Sequence, residues 1–159
     1  MENKDVYFVA VKVFLVDTAG KFLIVKDRFG DWDIPGGRLK ENEFAISLGA
    51  VIERKIKEEL GDALGYELGE PAVFMRHERD EILPDGKATA DGGVPSEGGK
   101  KRRIFAVGYM AKYVGGQIKL GKNHEKFEWV DIKTFASENY FSGGWLAGIK
   151  EFQTKYKKK

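Results

Sequence analysis

Residues Val6 to Val16 read VYFVAVKVFLV, a β-branched and aromatic run broken by one charge, Lys12. Side chains of this kind crowd a helix backbone but pack well on a pleated surface, so the run reads as a long buried strand. Asp17-Thr18-Ala19-Gly20 supplies a turn, with the glycine free to take a positive φ, and Phe22 to Val25 returns as a second strand. Trp32 to Ile34 is a third, short strand. It stops at Pro35 and the pair Gly36-Gly37.

Phe44 to Leu60 has helical periodicity: Ala45, Leu48, Ile52, Ile56 and Leu60 recur at three- and four-residue spacing and define one apolar face. Gly61 is well placed to end the helix. Val73 to Leu83 and Arg102 to Val114 read as two further strands, joined by a glycine-rich loop from Pro84 to Lys101, and Phe127 to Val130 as another. Two helical patterns close the chain. The last carries Trp145, Leu146, Ile149, Phe152 and Tyr156 on one stripe, which assigns those aromatics to the core rather than to a site. Strands, a central helix, more strands and a final helix imply an α+β fold with helices on both faces of a mixed sheet, in one domain spanning residues 1–159.

Composition narrows the function. No apolar run reaches the length of a membrane span, and the charged start Met-Glu-Asn-Lys-Asp lacks a signal-peptide pattern. The chain has no cysteine, which removes disulfides, thiolate metal sites and cysteine nucleophiles together. These features fit a cytoplasmic protein with no membrane partner. The formal net charge is only +2, and Lys155, Lys157, Lys158 and Lys159 read as a solvated tail. No groove pattern of interleaved aromatic and basic residues points to specific nucleic-acid binding. The sequence leaves a homodimer open.

The chemistry is concentrated between Trp32 and Gly61. Glycines at 36 and 37 let backbone approach a ligand closely. Glu58 and Glu59, adjacent on the following helix, are oxygen donors of the type that a hard cation takes together with substrate phosphates. Either feature alone is ordinary, since Glu53–Lys57, Arg54–Glu58 and Lys55–Glu59 are also i,i+4 pairs that would stabilise an exposed helix.

Read together, Trp32-Asp33-Ile34-Pro35-Gly36-Gly37, then Glu43, then Arg54, Ile56, Glu58, Glu59 and Gly61, resemble the Nudix hydrolase box and the stretch that precedes it. The resemblance implies an α/β/α sandwich of the Nudix type. It also implies metal-dependent hydrolysis of a nucleoside diphosphate linked to another group, with Mg²⁺ or Mn²⁺ as cofactor and a nucleotide-type diphosphate as the small-molecule partner. Carried over by position, Glu58, Glu59 and the Gly36 carbonyl would hold the metal, and Gly36 and Gly37 would lie against substrate. Arg54 would orient the carboxylates and Glu43 would brace the loop.

Two departures stand inside the box. Ten residues rather than seven separate Glu43 from Arg54. As added helix the three extra residues contribute about 300° of rotation and about 4.5 Å of rise, carrying Glu43 away from the site and leaving Glu41 as a substitute; a longer loop before the helix would absorb them instead. Second, Lys55 stands where the box has a glutamate. It could pair with Glu59, contact phosphate directly, or displace a metal ion. The base would then come from the segment before Trp129-Val130, with Glu125 preferred over His124 or Glu128. On a strand, His77 and Arg79 would share one face and Arg76 and Glu78 the other; one of these arginines could bind phosphate, although charged pairing across the sheet suits them better. Phe29, Phe74 and Tyr109 are the aromatics that could stack on a base, although core packing suits each.

Three functions follow: a metal-dependent phosphoanhydride hydrolase, a Nudix-fold module that binds a nucleotide without cleaving it, and an isopentenyl diphosphate isomerase. The third is disfavoured because that family's site resembles one with an essential cysteine.

Overall fold

The structure is a computed structural model that describes residues 2–80 and 101–157. Seven strands form one mixed sheet: β1 (Phe8–Val16), β2 (Lys21–Asp27), β3 (Trp32–Asp33), β4 (Gly36–Arg38), β5 (Leu64–Asp80), β6 (Lys101–Gly116) and β7 (His124–Asp131). Two helices, α1 (Leu48–Leu60) and α2 (Gly143–Tyr156), cover it. β1 runs parallel to β6 along its length, and the other pairings are antiparallel.

Strand alternation puts β1 between two cores. Ala10 and Phe14 face the core shared with Ile149 and Phe152 of α2; Val11, Val13 and Leu15 face the core shared with Val51, Ile52, Ile56 and Leu60 of α1. The helices therefore lie on opposite faces of the sheet, the sandwich that the sequence implies. Phe14 stacks on Phe152 at 4.1 Å between centroids, which ties the centre of β1 to α2.

The sheet forks, and the fork positions the site. β1 and β2 share only the register pair Val16↔Phe22. Beyond it β1 pairs with β4 through Ala10↔Arg38, Val11↔Gly37 and Lys12↔Gly36, whereas β2 goes with β3 and β7. The Gly36-Gly37 pair, which looks like a bare turn in sequence, is thus a strand. Glycine is required there: Gly36 has φ +138°, and a Cβ at this position would lie 2.0 Å from the Val11 carbonyl oxygen.

The helix begins four residues later than its periodicity suggests. Ser47 caps α1, its hydroxyl accepting from the Ala50 N–H at 3.1 Å. Residues 44–47 form a turn after a 3₁₀ turn at Glu41–Glu43, and Phe44 is 95% exposed. The added residues are taken up by this loop and not by an extra helical turn. β5 starts at Leu64, well before Val73; irregularities in its pairing with β6 around Gly65, Leu68 and Pro71 break the alternation that would have marked it. Its expected end, Leu83, and the loop 84–100 lie outside the described residues. β7 begins at His124 rather than Phe127. The first of the two C-terminal helical patterns is only a 3₁₀ turn, Ser137–Asn139. No helix among the described residues is long and apolar enough to cross a membrane.

Candidate functional site

At the fork lies a cleft of about 540 Å³, lined from β1, β3, β4, the C-terminal half of α1, the first turn of α2 and residues 122–124. Gly36, Gly37, Lys55, Glu58 and Glu59 all line it.

Arg54 organises one side. Its Nε and Nη2 donate to the two oxygens of Glu43 at 2.5 and 2.7 Å, and its Nη1 donates to Glu58 at 2.8 Å. Glu43 is buried and also accepts from the Lys40 N–H at 2.8 Å. The Arg54 hydrogen bonds hold the Glu43 carboxyl below its ordinary pKa against the cost of burial. Glu43 thus braces the loop, and no substitution by Glu41 is needed.

Glu59 faces inward and is 8% exposed. One carboxylate oxygen accepts from the Gly36 N–H at 2.8 Å, and the other lies 3.3 Å from His124 Nε2. Burial pushes its pKa up to about 7. The negative charge of Asp33 adds to that rise, while Lys12, the Gly36 N–H and Lys55 oppose it. Burial also lowers His124, whose Nδ1 is buried without a hydrogen-bond partner. Each member of this pair is therefore driven toward its uncharged form.

Glu125 does not join them. It lies 3.7 Å from Lys26, about half exposed, and Glu128 lies 3.6 Å from Lys126; only His124 of the three candidates lines the cleft. β7 is irregular at this point: Asp27 of β2 pairs with His124 and Lys26 with Lys126, so Glu125 is the extra residue of a bulge and its side chain is not placed in the cleft.

Lys55 does not pair with Glu59. Its ammonium lies 3.9 Å from Glu58 and packs over Gly37, where a Cβ would come within 2.6 Å of Nζ. Lys12 enters from the other side. It is 5% exposed, with Nζ 2.9 and 3.0 Å from the Asp33 oxygens, 3.3 Å from the Ile34 carbonyl and 5.1 Å from the centre of the Trp145 ring. Sequence reasoning passed over Lys12, although a lone charge in a buried strand is the signal that would have found it. Trp145 is a correction: it packs against the core, as its stripe implied, yet it also lines the cleft. His77 stacks on it at 4.5 Å. Of the three stacking candidates, Phe29 lines the cleft; Phe74 stacks on Phe105, and Tyr109 packs against the core beneath α1.

A mixed sheet between two helices, with a glycine strand facing an Arg-x-x-x-Glu-Glu helix, defines a Nudix fold. The chain belongs to the NUDIX domain family, whose model matches residues 6–145. No curated protein matches it in sequence. Among solved structures it is similar to a MutT protein from Methanosarcina mazei Go1, at 18% identity and TM-score 0.64, over 99% of this chain and 97% of that one. It is also similar to a C. elegans Ap4A hydrolase, at 14% identity and TM-score 0.61, over 96% and 99% of the two chains. An ADP-ribose pyrophosphatase from Streptococcus suis 89-1591 matches at 13% identity and TM-score 0.58, over 94% and 92%.

Nudix hydrolases generally use divalent metal ions. The donor set here does not fit a resident one. Among the described residues no three His, Asp or Glu side chains gather to hold an ion. Glu58 is engaged by Arg54, with Lys40 and Lys55 each at 3.9 Å, and both Glu59 oxygens have neighbours already.

Proposed function

We propose that this protein is a Nudix-type hydrolase that binds a nucleoside diphosphate linked to another group and cleaves its phosphoanhydride. The observation that carries the reading is the cleft: seven lysines and arginines face four carboxylates around Gly36 and Gly37, on the family's fold. Such a lining attracts a diphosphate and neutralises the charge that phosphoryl transfer spreads over its oxygens. Water would attack one phosphorus, the bridging oxygen would leave with the other phosphate, and two phosphate monoesters would result. Glu59 is the carboxylate nearest the glycine strand without an arginine partner, and would accept the water's proton, with His124 beside it. Arg54, Glu43 and Glu58 would position the helix and its loop. Gly36 and Gly37 would lie beneath the phosphates.

Lys55 favours a second reading, a module that holds the diphosphate without cleaving it, because a cation stands where the box has a carboxylate. Release of phosphate or nucleotide from a broad diphosphate panel, in Mg²⁺, in Mn²⁺ and in EDTA, separates the two. Turnover of any member that disappears in Glu59→Gln, with the melting curve preserved, supports the hydrolase. Binding of panel members without turnover under any condition supports the module. A gain in Mg²⁺-dependent rate in Lys55→Glu would show that the position still accepts a carboxylate.

A further inference from the structure

Lys55 is seated by its surroundings rather than exposed on a helix. Its side chain is 18% exposed, and the absence of a side chain at Gly37 makes room for the ammonium: a Cβ there would fall 2.6 Å from Nζ and 2.7 Å from Cε. The glycine strand thus lodges a lysine on the wall of the cleft. Lys12 enters the same cleft from β1, with its ammonium on Asp33 and the Ile34 carbonyl. It faces the cleft among buried neighbours and is fixed by Asp33.

Glu58 cannot neutralise Lys55 fully. Its Oε1 takes the Arg54 guanidinium at 2.8 Å and lies 3.9 Å from Lys40, and its Oε2 lies 3.9 Å from Lys55. Arg54 also has Glu43 as a partner, so Glu58 is left between the two lysines, each at 3.9 Å. Asp33 is likewise committed to Lys12. Over the whole cleft lining, seven lysines and arginines stand against four carboxylates, so positive charge is in excess before any ligand arrives.

A diphosphate needs this from its site: compact cations that bring hydrogen-bond donors to several oxygens at once. An ammonium supplies a point charge and three donors. We propose that Lys55, supported by the fixed charge of Lys12, binds the diphosphate oxygens directly, so that the diphosphate binds without a divalent ion. This inference rests on the diphosphate reading above.

The test is calorimetric titration of the full chain with inorganic pyrophosphate and with ADP-ribose, each in EDTA and in Mg²⁺. The expected result is binding in EDTA within about threefold of that in Mg²⁺, and at least a tenfold loss in EDTA for Lys55→Met. Lys55 is partly exposed, so the variant is expected to fold, and Lys55→Gln provides a second one. Binding by wild type that requires Mg²⁺ overturns the inference and leaves the diphosphate reading standing. Wild-type affinity in EDTA for both Lys55 variants also overturns it, since another group would then hold the phosphates. Binding of neither probe under either condition overturns the diphosphate reading itself, and the inference with it.

Discussion

Arg54 on α1 and Glu43 on the preceding loop face each other fork to fork, with Nε and Nη2 donating to the two carboxylate oxygens at 2.5 and 2.7 Å. This bidentate pair spans the turn 44–47 and fixes where α1 enters the fold. Glu43 is 5% exposed, so its charge depends on the guanidinium. Truncating one partner of a buried pair strands the other. Arg54→Ala is expected to cost about 3 kcal/mol, measured by urea unfolding, and Glu43→Gln less, because the amide can still accept one of the bonds. The sign of the pH dependence follows from the lowered Glu43 pKa. Its contribution is complete above the ordinary value of 4.5 and disappears as pH falls through the depressed one. Equal stability of Arg54→Ala and wild type would refute the bracing role.

Gly36 is expected to tolerate no side chain. Its φ is +138°, and an added Cβ would come 2.0 Å from the Val11 carbonyl oxygen; both obstacles are backbone, which cannot rotate away. Gly36→Ala should lose roughly 3 kcal/mol or more, or fail to fold. Gly20→Ala is the control. Its φ of +81° strains an added side chain, but no atom lies within 4 Å of a Cβ there, so a loss of only about 1 kcal/mol is expected in the same thermal melt.

The sequence carried the sandwich because β1 alternates between two apolar faces and α1 repeats its apolar residues at helical spacing. Those patterns reflect burial, and burial builds the layers. The site was less legible wherever a local signal had two readings. Gly36-Gly37 signals a turn equally well when it forms a strand against β1. The spacing from Glu43 to Arg54 cannot tell helix from loop, and Ser47, whose cap decides it, was one serine among others. The choice between Glu125 and His124 turned on a bulge between His124 and Lys126, where β7 slips one residue against β2, and no local sequence signal marks it. Trp145 belongs to a core stripe and also to the cleft, because α2 begins at its rim.

His77 predicts an acid-sensitive contact. Its Nδ1 accepts the Trp145 N–H at 3.4 Å in the first turn of α2, and its ring stacks on the indole. Burial, then the charge of Arg79, lower its pKa from 6.5 to about 4; Asp33 opposes this, Lys12 adds to it and Glu78 opposes it. Protonation would turn the accepting nitrogen into a donor facing the positive end of a helix. The folded pKa lies below the unfolded one, so the unfolded chain binds more protons between them. Stability is complete above about pH 6.5 and falls as pH drops toward 4. A shift of this size corresponds to ~3 kcal/mol in a dry site, and about 1–2 kcal/mol is expected for a ring partly open to solvent. Subtracting the pH profile of His77→Gln from that of wild type isolates the effect, and a flat difference across that window would contradict it.

Phe29 tests how the cleft holds a nucleotide. The turn that carries it is set by Asp27, whose Oδ1 accepts from the N–H groups of Phe29 at 2.8 Å and Asp31 at 3.0 Å. The ring is 53% exposed on the cleft wall, with the Arg28 guanidinium 5.0 Å from its centre. An aromatic face held at the rim of a cationic cleft suits a base whose phosphates lie deeper, and such stacking is worth about 1–3 kcal/mol on alanine substitution. Phe29→Ala should therefore weaken ADP-ribose binding by about tenfold while leaving inorganic pyrophosphate within about twofold, because the smaller ligand has no base to stack. Phe74→Ala is the matched control: that ring is more exposed, at 62%, but it stacks on Phe105 away from the cleft, and neither ligand should notice its removal. An equal loss for both ligands in Phe29→Ala would mean that the ring shapes the turn rather than touching the nucleotide.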